Sequence, residues 1–425
     1  MAATLGVTLE QAAALVPEGG RVLLGASAGL PRAMLSAVGA RPDLWRSLTL
    51  TGAFIPGVNE EDLAAIGTGS RVETIFATGG LAAAAATGRV AHLPLHYTAF
   101  WQRLARPGVV DAVVVTVPPP RGDGTVGLGV TADFAPAAVA AGARLIGVVN
   151  PEMPDVAQGP RLPVDRFAAL CEGPAPLACY DPGPADDVFL AIAGHVLGLM
   201  RPGDTLQLGL GKLQQAMLEV LADVDLPDLG FHAGMISGPV LPLIEAGRFP
   251  RGVTAGVALG PPGFAQAAAA APGVRFAPVG ETHAPATLAA LPGLLAVNSC
   301  IEIDLFGQVN GEMLGGRQIS GQGGLVDFLR GARLSPGGRS VLALPARAGR
   351  SGRSRILPAL PRGCVMSVAR ADIDHVVTEY GVADLREASV IERAERLVAI
   401  AAPEDRDNLW NSWEDLQRQS RGGGV

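Results

Sequence analysis

A single lysine, Lys212, stands among 425 residues; every other basic side chain is arginine. With abundant alanine, glycine and proline, this skew reads as a GC-rich coding bias under which most lysines are exchanged neutrally. The one that survives is therefore a candidate for function. Positive charge is also short in sum, since the net charge is −7 and no basic stripe occurs. Nucleic-acid binding, which needs clustered cations to neutralise phosphates, is excluded on that ground. Cysteine is scarce. Cys171, Cys179, Cys300 and Cys364 lie far apart with no CxxC pair. That spacing fits neither a disulfide framework nor a zinc site, so no metal is expected and a reducing, cytoplasmic compartment is. Long apolar runs are missing too. The segment AQAAAAAPG (265–273) is too short to span a bilayer. The N-terminal MAATLGVTLEQ has neither a basic nor an apolar signal-peptide region.

Apolar residues make up 48% of the chain and charged ones 17%, enough for a large core. Two domains are expected at this length. Short apolar runs mark buried strands: RVLLGA (21–26), DAVVVTV (111–117), RLIGVVN (144–150), TLQLGLG (205–211), LLAVNS (294–299), SVLALP (340–345) and HVVTEY (375–380). Stretches at helical spacing lie between them, including 185–200 and 213–224. Strands alternating with helices predict an α/β fold with mostly parallel sheets. Residues 17–35 and 202–218 echo each other as turn, strand, glycine turn and a helix near an AML tripeptide, which suggests two related halves. The linker is placed at CYDPGPADD (179–187), where Asp186 or Asp187 can cap the next helix. The domains are then 1–182 and 183–425.

Gly209-Leu210-Gly211-Lys212 closes a strand and opens a helix, the place where parallel sheets take polar ligands. The alternative is a tight turn and nothing more. Neither GxGxxG nor a Walker A sequence occurs, so dinucleotide and nucleoside triphosphate readings lack support. Gly315–Gly324 holds five glycines in ten residues and is expected to form no regular element. It is either a flexible surface loop or an ordered one presenting N–H groups to an oxyanion. The apolar LVDFL that follows favours order. His232 is a candidate base or a packed, hydrogen-bonded side chain. Cys300 is expected to be inert. Glu281 is a candidate carboxylate. Glu302 and Asp304 alternate in IEIDL and are expected on a solvated strand face.

Seven ordered segments, taken together, resemble the acetyl-CoA hydrolase/transferase family, the single-chain class I CoA-transferases. They are residues 118–154, QLGLGKLQQAML (207–218), HAGMISGPVLPLIEAG (232–247), NSCIEIDLFGQVNGE (298–312), GGRQISGQGGLVDFLRGA (315–332), SRILPAL (354–360) and VVTEYGVADLR (376–386). The resemblance runs nearly the whole length. It implies two related α/β domains of the CoA-transferase type, acyl-CoA as substrate, coenzyme A as co-substrate with no tightly bound cofactor, and a homodimer. It implies substrate or CoA contacts at Gly209, Gly211, Lys212, Met235, Asn298, Gln322 and Gly323. Members attack the thioester with a glutamate carboxylate, which forms an anhydride and then a glutamyl-CoA thioester.

Here the family's His-Thr-Glu-Met-Phe-Ser-Asp-Gly-Val reads His232-Ala233-Gly234-Met235-Ile236-Ser237-Gly238-Pro239-Val240, so glycine stands at the nucleophile position. The asparagine that helps bind the thioester oxygen is also gone, from a stretch reading Glu281-Thr282-His283-Ala284-Pro285. The second oxyanion donor is retained at Gly324. Three outcomes are compatible with this pattern. The chain still processes acyl-CoA, with water or the substrate's own group attacking while Gly324 stabilises the oxyanion, or as a transferase with another carboxylate such as Glu281 in the glutamate's role. Or it is a lyase on a carboxylated acyl-CoA, with Lys212 or His232 holding the carboxylate or moving a proton. Or it only binds acyl-CoA.

Overall fold

The structure, a computed structural model, describes residues 4–349 and 351–422. It divides into two compact units. The first comprises the chain up to Asp181, His232–Ala284 and Ile319–Gly324; the second comprises Pro182–Phe231, Pro285–Gln318 and the chain from Leu325 onward. Among the described residues, no helix is long and apolar enough to cross a membrane.

The first unit is built on β1 (Thr4–Leu5), β2 (Arg21–Leu24), β3 (Thr49–Gly52), β4 (Arg71–Thr74), β5 (Val90–His92), β6 (Ala112–Val117), β7 (Arg144–Val149) and β8 (Phe167–Glu172). Their order across the sheet is β1-β8-β7-β6-β2-β3-β4-β5, and every pairing is parallel. Strand β6 shows why its sequence is an unbroken apolar run. Ala112 and Val114 pack into a core on one face with Val22, Leu24, Leu50 and Ile146. Val113, Val115 and Val117 pack into a second core on the other face with Leu23, Leu145 and Phe134. Side chains of a strand alternate between faces, and here both faces are covered, so both sets must be apolar.

Strand β9 (Thr205–Leu208) lies in the second unit, and β10 (Gly230–Ile236) carries the chain from the second unit into the first. β10 pairs with β9 through Gly230 and Phe231. Its later residues lie beside β11 (Val253–Ala258), which pairs with β12 (Val274–Phe276) in the first unit. The second unit continues as β13 (Leu294–Asn298), β14 (Arg339–Ala343), β15 (His375–Thr378) and β16 (Gly381–Asp384). The pairs β9–β13, β13–β14 and β14–β15 are parallel, and only β16 joins antiparallel to β15. All seven apolar runs are strands, and the fold is the mostly parallel α/β type expected. Asp186 caps the helix Asp187–Leu197 by accepting the Phe189 N–H at 3.2 Å. In the echo, each copy is a strand, a turn and a helix: β2 with Arg32–Ala40, β9 with Lys212–Ala222.

Two expectations need correction. Glu302 and Asp304 do lie in a short strand, but both are buried rather than solvated. Glu302 is paired with Arg353 and accepts from Asn310 Nδ2 at 3.2 Å. Asp304 accepts the Phe306, Gln308 and Leu360 N–H groups at 3.1, 2.8 and 3.2 Å. Donors brought from distant segments replace the water that burial removes. The glycine-rich segment also opens on regular structure. Met313–Leu314 pairs antiparallel with Arg317–Gln318 around Gly315 and Gly316, whose φ angles are +57° and +77°. Such a two-residue hairpin turn needs left-handed backbone at both positions, which glycine adopts without strain.

A buried ion pair sets one stability expectation. Arg339 and Asp204 have side chains 3% and 4% exposed and are hydrogen-bonded to each other. Burial raises the Asp204 carboxyl and lowers the Arg339 guanidinium, so desolvation outweighs their attraction. Removing Arg339 leaves the Asp204 charge buried without its cation, held by the Arg201 N–H at 2.7 Å. Arg339→Leu is expected to cost about 3–5 kcal/mol in urea unfolding, whereas loss of an exposed pair costs under about 1.

Candidate functional site

In the first unit, the residues singled out by sequence converge along β10. Gly234 lies within this strand, half-exposed and without a left-handed φ. Gly256 on β11 lets the two strands approach closely. A Cβ at Gly256 would lie 2.7 Å from the Gly234 carbonyl oxygen. Met235 is half-exposed, and His232 is 4% exposed. The His232 Nε2–H donates to the Thr282 carbonyl at 2.8 Å, and burial lowers the ring's basicity. His232 is thus a packed side chain held in one tautomer, with its neutral form favoured by burial.

Thr282 links His232 to His283. Its hydroxyl oxygen lies 2.8 Å from His283 Nδ1, and the His283 carbonyl accepts from Thr98 Oγ1 at 3.1 Å. The His283 ring, 1% exposed, packs 4.9 Å from the Tyr97 ring. Tyr97 in turn donates its N–H to the Gly323 carbonyl at 2.9 Å. A continuous chain of contacts therefore joins β10 to the glycine-rich loop. Glu281 stands near it, and its charge acts on His232. Its carboxylate is paired with Arg275, and both side chains are about 40% exposed at 42% and 39%.

The loop Ile319–Gly324 is pinned rather than flexible. The Ala77 N–H donates to the Ser320 carbonyl at 3.2 Å. A side chain at Gly321 would overlap the Ile75 carbonyl oxygen, and one at Gly323, whose φ is +55°, would lie 2.8 Å from the Phe76 ring. Gln322 and Gly324 remain half-exposed, and Gly324 ends the loop immediately before the helix Leu325–Leu334.

Asp133 borders this cluster through its backbone. The Asp133 carbonyl accepts the Val279 N–H at 3.0 Å, and the neighbouring Phe134 ring meets Tyr97 edge-to-face at 5.0 Å. Asp133 is half-buried, and desolvation pushes its carboxyl up to about 7. The sequence signal was a lone acid between apolar residues in Thr131-Ala132-Asp133-Phe134-Ala135. A carboxyl whose folded pKa lies above its unfolded value near 4 favours folding fully below that value. The contribution is lost as pH rises through about 7. Asp133→Asn is therefore expected to stabilise the chain by up to about 4 kcal/mol at pH 8 and by nothing near pH 4, read from melts at both pH values.

In the second unit, Gly209, Gly211 and Lys212 form the turn from β9 into the helix Lys212–Ala222. Gly211 has a φ of +117° and is the last residue before the helix. Asn298, at the end of β13, donates from Nδ2 to Gln207 Oε1 at 2.8 Å. Its Oδ1 would lie 3.4 Å from a Cβ at Gly209, so the amide sits against the turn. Lys212 Nζ lies 3.5 Å from Asp186, with side chains 42% and 53% exposed, a contact worth little to folding. Cys300 is buried and its thiol is pushed up to about 12, as its inert reading requires. Among the described residues, no group of three or more His, Cys, Asp or Glu side chains is placed to hold a metal.

Comparison with known proteins bears on these residues. The model of the acetyl-CoA hydrolase/transferase N-terminal domain matches residues 6–166, and that of the C-terminal domain matches 260–413. The 4-hydroxybutyrate coenzyme A transferase of Clostridium kluyveri is 30% identical over 419 residues, covering 96% of this chain and 97% of that protein. The crystal structure of RipA from Yersinia pestis superposes with a TM-score of 0.89 at 27% identity, over 97% of each chain. The 4-hydroxybutyrate CoA-transferase structure from Porphyromonas gingivalis gives 0.79 at 27% identity, over 98% and 97% of the two chains.

Proposed function

This chain belongs to the acetyl-CoA hydrolase/transferase family, and we propose that it cleaves an acyl-CoA thioester by direct attack of water instead of through a glutamyl intermediate. The observation that carries this reading is Gly234, which offers no side chain at a half-exposed position of β10. The other candidate nucleophiles are committed elsewhere. Glu281 is held by Arg275, and the Cys300 thiol is buried and protonated. What remains is oxyanion stabilisation. The Gly324 N–H stands at the end of a loop fixed by Ile75, Ala77 and Tyr97, and fixed donors keep much of their catalytic effect after a nucleophile is lost. Water's oxygen bonds to the thioester carbon, the C–S bond breaks, and coenzyme A leaves as the thiol with a proton.

The reading is tested by incubating the protein with short-chain acyl-CoAs and measuring free thiol, with mass spectrometry of the protein after borohydride treatment. Thiol release with unchanged protein mass is expected. A trapped glutamyl adduct, or silence with every thioester, would overturn it.

A further inference from the structure

The first sheet reverses its winding between β2 and β6. From β2 the chain moves outward through β3, β4 and β5; from β6 it moves the opposite way through β7 and β8. Open α/β sheets take ligands outside the carboxyl ends of the strands at such a reversal. A cavity of about 20 Å³ lies there, bordered by Gly25 and Ala26 after β2, Ala53 after β3, Val115 of β6, Thr131 and Asp133. That volume holds one water molecule.

Asp133 also borders the cluster around Gly234. The adjacent Ala132 N–H donates to the Gly256 carbonyl at 3.1 Å, and Gly256 abuts Gly234. On its other side, Phe134 packs on Tyr97, which holds the loop at Gly323. Building on the proposed hydrolysis, we infer that Asp133 is the general base that takes a proton from the attacking water. As the water oxygen bonds to the thioester carbon, its proton passes to the Asp133 carboxylate. Collapse of the tetrahedral adduct leaves the electron pair on sulfur, and Asp133 returns the proton to give free coenzyme A.

No charged residue besides Asp133 lines the cavity. The elements packed around it bring Glu281, His283 and His232. Glu281 is paired with Arg275, His283 lies against Tyr97 and Thr282, and His232 donates to Thr282. With no cation beside it, burial sets the ionisation near neutrality, where a general base works best.

The experiment measures kcat/KM for thioester hydrolysis against pH in the wild-type chain, Asp133→Asn and the control Glu18→Gln. The wild-type rate is expected to rise through an inflexion near pH 7 and level off. Asp133→Asn is expected to lose about 100-fold or more and its pH dependence, while cleavage by added hydroxylamine, which needs little help with its proton, is largely kept. Three results would each overturn the inference: a wild-type profile flat between about pH 6 and 8, an Asn variant close to wild type, or equal loss of hydrolysis and hydroxylamine cleavage. If Asp133→Asn does not fold, the wild-type profile decides. A wild-type chain that cleaves no thioester fails the proposed function, and this inference with it. A chain that cleaves but ignores Asp133 fails the inference alone.

Discussion

Gly234→Glu is expected to install covalent acyl transfer through a new carboxylate on β10. The strand already presents this position half-exposed, with backbone that any L-residue adopts. A glutamate in place of glycine inside a strand also gives up less backbone freedom on folding, so stability should hold or rise by roughly 0.5–1 kcal/mol. With acyl-CoA, the new carboxylate should form the anhydride, be attacked by the released thiolate and retain coenzyme A as a glutamyl thioester. Two readouts follow. Borohydride should trap an adduct absent from the wild type, and acetate-dependent exchange of coenzyme A should rise by about 100-fold or more. A folded variant with neither would show that β10 does not face the thioester. That result would remove the premise that Gly234 is the position at which the chemistry diverged.

The second departure is coupled to the first in space. His283 lies in the stretch 281–285 where the resemblance places an oxygen-binding asparagine, and it connects through Thr282 to His232 on the same strand as Gly234. Loss of function by drift would scatter changes over the site. Here the altered positions lie on one side of the contact chain, and the loop at its other end still carries the glycines its packing demands. This distribution favours altered chemistry on a retained thioester site.

Sequence disclosed the strands well because a parallel strand buried on both faces must be apolar throughout, as β6 is. It disclosed the Asp186 cap for a local reason, since the partner N–H lies three residues away. It failed where the deciding partner is remote. IEIDL reads as an amphipathic strand until Arg353 and Asn310 arrive to satisfy Glu302. The grouping of His232–Ala284 with the first unit is unmarked at its start, because β10 runs on without a turn; its end falls before Pro285, which opens the next helix. Asp133 went unnoticed because its cavity is assembled by strand ends roughly a hundred residues apart in sequence, which no local pattern records. The family resemblance supplied Gly234 and Gly324, but spacing alone did not.

Gly321→Ala is expected to damage catalysis severely with a single methyl group. The added carbon would overlap the Ile75 carbonyl oxygen and sit 3.1 Å from the Phe76 ring. Backbone that belongs to the end of a buried strand cannot yield as a flexible side chain does, so the loop itself must move. Movement would strain the bonds from Ala77 to Ser320 and from Tyr97 to Gly323. Those losses and the overpacking together should cost about 2–3 kcal/mol. The Gly324 N–H would shift with the loop, and a misplacement near 1 Å at a reacting group costs about 100-fold in rate. Gly194→Ala is the control, because a Cβ there meets nothing within 4 Å on the helix Asp187–Leu197. It should leave the rate unchanged and raise stability by up to about 1 kcal/mol. Thiol release and melting temperature measured on both variants separate the effects. A folded Gly321→Ala protein with the wild-type rate would mean that the loop positions nothing at the thioester, and Gly324 would lose its role as oxyanion donor.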